Sequence, residues 1–308
     1  MRDPARRTVA HGTLLPDATR TTSGKEGTRC QPATEQALGK ILPFNKKASR
    51  PSGRRRSSSG RKLVGAVGED HRERVMDTAV YPFSAICELR MFFPDGEFAG
   101  TGFFIAPTVV LTAAHNLKNS EFGGEADSVH VYPGLNGDLS QPPLGQVIAE
   151  RMLYTSEWQQ DEDDSFDYGV LVLPTDKGND VGWLGVAKYA DGDLQGLGVN
   201  NANYPSDCPL VSSGSCPLQY TAMYIQHANL TRVEPSRLYY TDMLMTKGCS
   251  GSPIFVYYPQ EVPTKQYQVL GIHTVQESSV YHATRISNQC YADIGYWLTK
   301  AVEEHSTV

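Results

Sequence analysis

From Val75 to Ile286 the chain is a succession of short apolar runs rich in Val, Ile, Phe and Tyr, each closed by Gly, Pro, Asn or Asp. Runs of this length suit strands, because a residue that buries one face of a sheet recurs every second position and a turn residue then ends the element. The candidates are Ser84 to Phe93, Thr101 to Ile105, Val109 to Thr112, Ser128 to Tyr132, Gly145 to Leu153, Tyr168 to Val172, Gln219 to Ala228, Leu238 to Thr241, Ser252 to Tyr257, Tyr267 to His273 and Ala283 to Ile286. No long helical pattern separates them, so the fold class is all-β, antiparallel barrels or a sandwich rather than a parallel sheet. Only the end of the chain reads as helical. In Tyr291 to Ala301, residues Ile294, Trp297, Leu298 and Ala301 recur at spacings of 3 and 4, with Ser287 or Asn288 available as a cap.

A net charge of −6 hides two unlike parts. Residues 1–62 hold 15 Lys and Arg against 4 Asp and Glu, and residues 63–308 hold 13 against 30. The first part carries Pro, Ser, Gly and Arg without an apolar period, culminating in the run from Arg50 to Lys62, and is expected to be a disordered leader. Its dibasic sites suit a removable propeptide. An inert leader, a nucleic-acid or membrane tether and a gene-model error stay open. Residues 63–308 form the folded domain, a chain long enough for a large core and unlike collagen, a coiled coil or a disordered polymer. No nucleic-acid or membrane partner is expected for that domain, which is expected to be a monomer. No apolar signal-peptide segment follows Met1 to Arg7, and Gly100 to Leu117, interrupted by Pro107 and His115, makes a poor membrane helix.

Six cysteines (Cys30, Cys87, Cys208, Cys216, Cys249, Cys290) show no zinc-ligand spacing, so neither a metal nor a cofactor is expected. Cys208 and Cys216 bracket a Gly- and Ser-containing loop. A local disulfide and two free thiols both remain open there.

The residues that carry chemistry lie in three strings. In Lys247-Gly248-Cys249-Ser250-Gly251-Ser252-Pro253, a Ser between two small neighbours can aim its own N–H and that of Gly248 at one point beside its Oγ, the arrangement of an oxyanion hole next to a nucleophile. The bland alternative is a tight turn before a strand. In Thr101-Gly-Phe-Phe-Ile-Ala-Pro-Thr-Val-Val-Leu-Thr-Ala-Ala-His115, an apolar strand delivers small residues and then an imidazole. In Asp167-Tyr168-Gly169-Val170-Leu171, a carboxylate precedes a buried strand and can orient that imidazole.

Together these strings resemble the chymotrypsin-fold serine peptidases, and within them the glutamyl endopeptidase, or V8-like, branch. Arg72, Val75 and Thr78, followed by Tyr81-Pro-Phe-Ser-Ala-Ile86, also resemble the start of the mature enzymes of that branch. The resemblance implies two antiparallel six-stranded β-barrels (barrel 1 about 75–180, barrel 2 about 181–287) followed by a C-terminal α-helix at about 288–304, with the site between the barrels. It implies a serine endopeptidase acting on protein or peptide substrates, secreted, with catalytic His115, Asp167 and Ser250 and an oxyanion hole formed by Gly248 and Ser250. It also implies that His273 and Thr274, in Leu270-Gly-Ile-His-Thr274, line the primary pocket, with His273 reading a Glu or Asp side chain. A buried strand histidine is the plain alternative.

Three departures bear on this transfer. Cys249 stands where trypsins carry an Asp that pairs with a freshly cut α-amino group, so that ion pair is not available. In the resembled branch the matured N-terminus instead adds positive charge near the pocket, which places an expected leader cleavage between Arg61 and Ala66. Met245 replaces a pocket hydroxyl, with Thr246 adjacent, and Val275-Gln276 replaces an aromatic and a Gly at the cleft edge. A broader-specificity hydrolase and a catalytically silent binding homologue are therefore carried as alternatives. Asp161-Glu-Asp-Asp164 reads as a solvated loop or a cation site and makes Asp164 a rival to Asp167. Asn229-Leu-Thr231 is a glycosylation sequon, and His130, His227 and His282 carry no assigned role.

Overall fold

The computed structural model describes residues 13–14, 41, 43, 70–207, 220–261, 263–277 and 280–305. Its first sheet contains β1 (Ile86–Phe93), β2 (Gly96–Ala106), β3 (Val109–Thr112), β4 (Ser128–Pro133), β5 (Val147–Ile148), β6 (Arg151–Tyr154) and β7 (Gly169–Val172). The hydrogen-bonded order is β5-β4-β1-β2-β3-β7-β6, every pair antiparallel. Two residues, Ala149 and Glu150, join β5 at one end of that order to β6 at the other, and their N–H groups bond Val129 and Val172. A flat sheet would hold those ends roughly 29 Å apart at the usual strand spacing. Two residues reach only about 10 Å. The sheet is therefore closed, and β5 and β6 are one bent strand of a six-stranded barrel, as the single run from Gly145 to Leu153 predicts.

The second sheet follows the same logic. Its strands are β8 (Gly185–Ala187), β9 (Gly198–Asn203), β10 (Tyr224–Asn229), β11 (Arg237–Tyr240), β12 (Pro253–Tyr257), β13 (Tyr267–Glu277) and β14 (Val280–Arg285). The order β11-β14-β13-β12-β9-β10 makes six strands, and the chain leaving β10 pairs as Arg232–Val233 with β11, closing the second barrel. Short additions decorate it. Glu73–Arg74 pairs with β10, and β8 pairs with β13 in parallel and with Thr13–Leu14. Within the leader, the described residues sit on this sheet, where Pro43 bridges to Tyr257 and Ile41 is buried. The other leader residues, the expected cleavage region and the Cys208 to Cys216 loop lie outside the described residues.

β1 shows how the sequence positions these parts. Cys87, Leu89, Met91 and Phe93 alternate into the first core, while Glu88 and Arg90 face the other way and are buried too. The Tyr220–Thr221 strand supplies Thr221, whose hydroxyl donates to the Glu88 carboxylate. The C-terminal helix spans Asn288–His305, with the Ser287 hydroxyl accepting the Cys290 N–H at 3.2 Å as its cap. Cys290, Ile294, Trp297 and Ala301 form its buried stripe, and the Tyr168 hydroxyl reaches Asp293 at 2.6 Å.

Candidate active site

Register alone brings His115 and Asp167 together. β3 ends at Thr112, which pairs with Gly169 of β7, so the residues just after β3 and just before β7 emerge side by side. Ala113 and Ala114 are fully buried and small, and a tight turn at Ala114–Asn116 then presents the imidazole. The Asp167 carboxylate accepts the His115 backbone N–H at 2.9 Å and the Nδ1–H at 2.7 Å. Its side chain is 2% exposed, against 19% for His115. Burial opposes charge on His115, but the Asp167 charge and hydrogen bond outweigh it and hold the imidazole pKa above its ordinary value. With Nδ1–H donated to Asp167, Nε2 keeps its lone pair.

The Ser250 turn is fastened to the same place. The Ser250 carbonyl accepts the Thr101 N–H at 2.8 Å and the Asn116 Nδ2–H at 3.1 Å, so the residue beside His115 holds the residue expected to be the nucleophile. Thr101 also donates its hydroxyl to the Gly248 carbonyl at 2.8 Å. Both flanking glycines are required. Gly248 has φ +90° and Gly251 φ +87°, and a Cβ on Gly251 would lie 2.1 Å from the Thr101 carbonyl oxygen. The N–H groups of Cys249, Gly251 and Ser252 are committed to Thr246, His273 and Cys249. Among the described residues, those of Gly248 and Ser250 have no such partner. Cys249 is fully buried and burial pushes its thiol up to about 11, so it remains protonated at neutral pH.

His273, on β13, shares a hydrogen bond of 2.6 Å between its Nδ1 and the Tyr240 hydroxyl. Burial, with His282 and His115 nearby, pushes its pKa down to about 3, so the ring is neutral. Thr274 is buried with its hydroxyl 3.4 Å from that of Thr284. Met245 is buried against the Asn203 amide, and the adjacent Thr246 hydroxyl donates to Asp207 at 2.9 Å. The Gln276 side chain lies outside the described residues. The acidic run is built rather than loose. Glu162 accepts bonds from Lys118 and Ser120, Asp163 caps a turn at Ser165, and Asp164 pairs with Arg237 at 3.5 Å; Asp164 and Glu162 add negative charge near His115, but among the described residues Asp167 is the carboxylate that hydrogen-bonds its ring.

Several supporting residues are not singled out by sequence reasoning. Thr101 lies inside a quoted string, but its bonds to Gly248 and Ser250 cross between barrels and leave no local pattern. Asn201 of β9 donates to the Ser252 hydroxyl at 2.8 Å and the Pro253 carbonyl at 3.0 Å, bracing the turn behind Ser250.

The sequence and the fold have counterparts among known proteins. Over 267 residues the chain is 28% identical to a glutamyl endopeptidase of Bacillus licheniformis, covering 85% of this chain and 77% of that one. The solved structure of a Glu endopeptidase in complex with MPD superposes with a TM-score of 0.62 at 22% identity, over 75% of this chain and 97% of that one. The chain has the chymotrypsin fold and is similar in sequence to a V8-like peptidase. A thermostable serine protease, AL20, from an extremophile shares the fold at a TM-score of 0.54 and 20% identity, over 70% and 97% of the two chains. A Bacillus subtilis protein named an extracellular metalloprotease is 29% identical over 234 residues, 75% of this chain and 69% of that one. Among the described residues of this chain, no group of three or more His, Cys, Asp or Glu is placed to hold a metal ion. No family model matches the chain. Among the described residues, no helix is long and apolar enough to cross a membrane.

Proposed function

We propose that this protein is a serine endopeptidase working through an acyl-enzyme, with a preference for Glu or Asp before the cut. The observation that carries the reading is the paired grip of Asp167 on His115 beside a glycine-flanked Ser250. Ser250 Oγ attacks the scissile carbonyl and His115 Nε2 takes its proton. Asp167 steadies the imidazolium, and the N–H groups of Gly248 and Ser250 hold the oxyanion. His115 then returns the proton to the leaving amine, and water, deprotonated the same way, releases the acyl group.

For specificity, the Tyr240 hydroxyl donates to His273 Nδ1, which leaves His273 Nε2–H as a neutral donor for a substrate carboxylate. A neutral ring there needs no buried counter-charge before substrate arrives. The Bacillus licheniformis relative is named for glutamyl cleavage, which supports the same preference. Release outside the cell is part of the proposal, supported by the Bacillus subtilis relative's being named extracellular.

The test is mass spectrometry of a denatured protein digested by the purified full-length chain, with Ser250→Ala as control. Cuts after Glu that vanish in the control are expected. Cuts after Phe, Leu or Arg that vanish in the control would retain the nucleophile and overturn the acidic preference. Equal cutting by both proteins would overturn the role of Ser250.

A further inference from the structure

The turn that carries Gly248 and Ser250 leans on a second charged assembly, well outside the His115 and Asp167 pair. Arg72 enters from the segment immediately before the first barrel, and its guanidinium is 2% exposed. It grips Asp207 with both ends, Nη1 to Oδ1 at 2.6 Å and Nη2 to Oδ2 at 2.9 Å, and Asp70 with Nε at 2.9 Å and Nη2 at 2.8 Å. Asp207 Oδ1 accepts the Thr246 hydroxyl as well, at 2.9 Å, and the neighbouring Ser206 N–H bonds the Lys247 carbonyl at 2.7 Å. Thr246 and Lys247 are the two residues that lead into Gly248.

Gly248 lies flat on the same strip of chain. A Cβ there would come 2.4 Å from the Tyr204 carbonyl oxygen and 2.6 Å from the Ser206 hydroxyl. The path of residues 204–207 therefore sets where the Gly248 N–H points, and that path is fixed at its end by Arg72. Bidentate pairing of a guanidinium with a carboxylate constrains direction as well as distance. Position 249, next to the nucleophile, carries a buried thiol and offers no carboxylate for such a role.

Building on the serine endopeptidase reading, we infer that Arg72 is a positioning residue: through Asp207 and Thr246 it holds the Gly248 to Ser250 turn in the shape that receives the oxyanion. The fastening charge is a side chain within the chain, not a new α-amino group. The turn is thus ordered whether or not the peptide upstream of residue 70 has been cut.

The experiment compares the full chain with Arg72→Gln, Arg72→Lys, Asp207→Asn and the Arg72→Gln/Asp207→Asn double variant on one peptide substrate. Activity is counted per Ser250 that reacts with a fluorophosphonate, so unfolded molecules drop out. A donor misplaced by a fraction of an ångström costs on the order of 10- to 100-fold in kcat, with KM within about threefold. The double variant is expected to fall no further than the worse single, because both changes break one link. Arg72→Lys, which keeps the charge but loses the fork, is expected to recover part of the loss. Variants that melt earlier yet keep wild-type kcat per reactive serine would overturn the inference and leave Arg72 a simple tether. If Arg72→Gln does not fold, Thr246→Val removes only the last bond of the link, and an unchanged kcat there would overturn it equally. A wild-type chain that neither labels at Ser250 nor cleaves peptides would overturn the endopeptidase reading itself, and this inference with it.

Discussion

Asp167 illustrates how much one side chain decides. Its two oxygens fix the His115 backbone and ring at once, setting both the position of the imidazole and its tautomer. The charge also raises the His115 pKa against the opposing effect of burial. In the proposed mechanism His115 acts as a general base in its neutral form, so activity is expected to rise with pH as His115 loses its proton, with the acid limb of the kcat profile above the ordinary histidine value. Replacing Asp167 by Asn removes the charge and offers an amide donor where an acceptor is needed. The expected result is a fall of about 10⁴-fold in kcat and an acid limb moved to lower pH, read from a kcat against pH profile. An unmoved limb would mean another group sets it. His273, neutral down to about pH 3, contributes no titration of its own to that profile. At this scale the residues of the candidate site are legible in the sequence, because glycines around a Ser and small residues before a His are local patterns. Asn116, Tyr240 and Asp207 are not, because each acts on a residue far away in sequence and carries no motif.

The elements repeat that division. A short continuous apolar run such as Val109 to Thr112 marks its strand to the residue, and the stripe of Ile294, Trp297, Leu298 and Ala301 marks the C-terminal helix. Strand β9, Gly198–Asn203, escaped because its sequence Gly-Val-Asn-Asn-Ala-Asn is poor in the residues that favour strands. The buried Asn200 and Asn201 amides donate to partners on β12 and the Ser250 turn, a tertiary reward that no local propensity reports. β1 presents a related case, since Glu88 and Arg90 are buried on its other face, where Arg90 pairs with Glu88 and Glu97 and Thr221 reaches Glu88 from far along the chain. Burial pushes the Glu88 carboxyl up to about 7, with Arg90 and Thr221 pulling the other way. Between the unfolded value of 4.5 and about 7, the folded chain therefore holds a proton that the unfolded chain has shed. Stability falls as pH rises through that window and levels off above it. Glu88→Gln keeps the shape and removes the titration, so its stability, measured by urea unfolding across pH 4.5 to 7, is expected to lose that part of the slope. A slope equal to that of the unaltered chain would contradict the assignment to Glu88.

Across the whole molecule, the candidate site lies where the two closed barrels meet. The first supplies His115, Asp167 and Thr101; the second supplies the Ser250 turn and His273. Thr101 is the joint between them, bonding Gly248 and Ser250 from one side while the Tyr204 N–H donates to its hydroxyl at 3.1 Å. The C-terminal helix packs on the first barrel close to Asp167, where Trp297 lies against Tyr168 and the Tyr168 hydroxyl bonds Asp293. The proposed chemistry needs residues from both barrels, and the sequence conveys that arrangement only through its resemblance to proteins of this fold. The most direct test of the central claim, that these two halves make one nucleophilic serine, is reaction of the folded full-length chain with a fluorophosphonate followed by peptide mapping. The expected result is a single adduct on Ser250, formed faster as pH rises through the His115 pKa and greatly slowed in Asp167→Asn. An adduct on any other residue, or none on a folded protein, would contradict it.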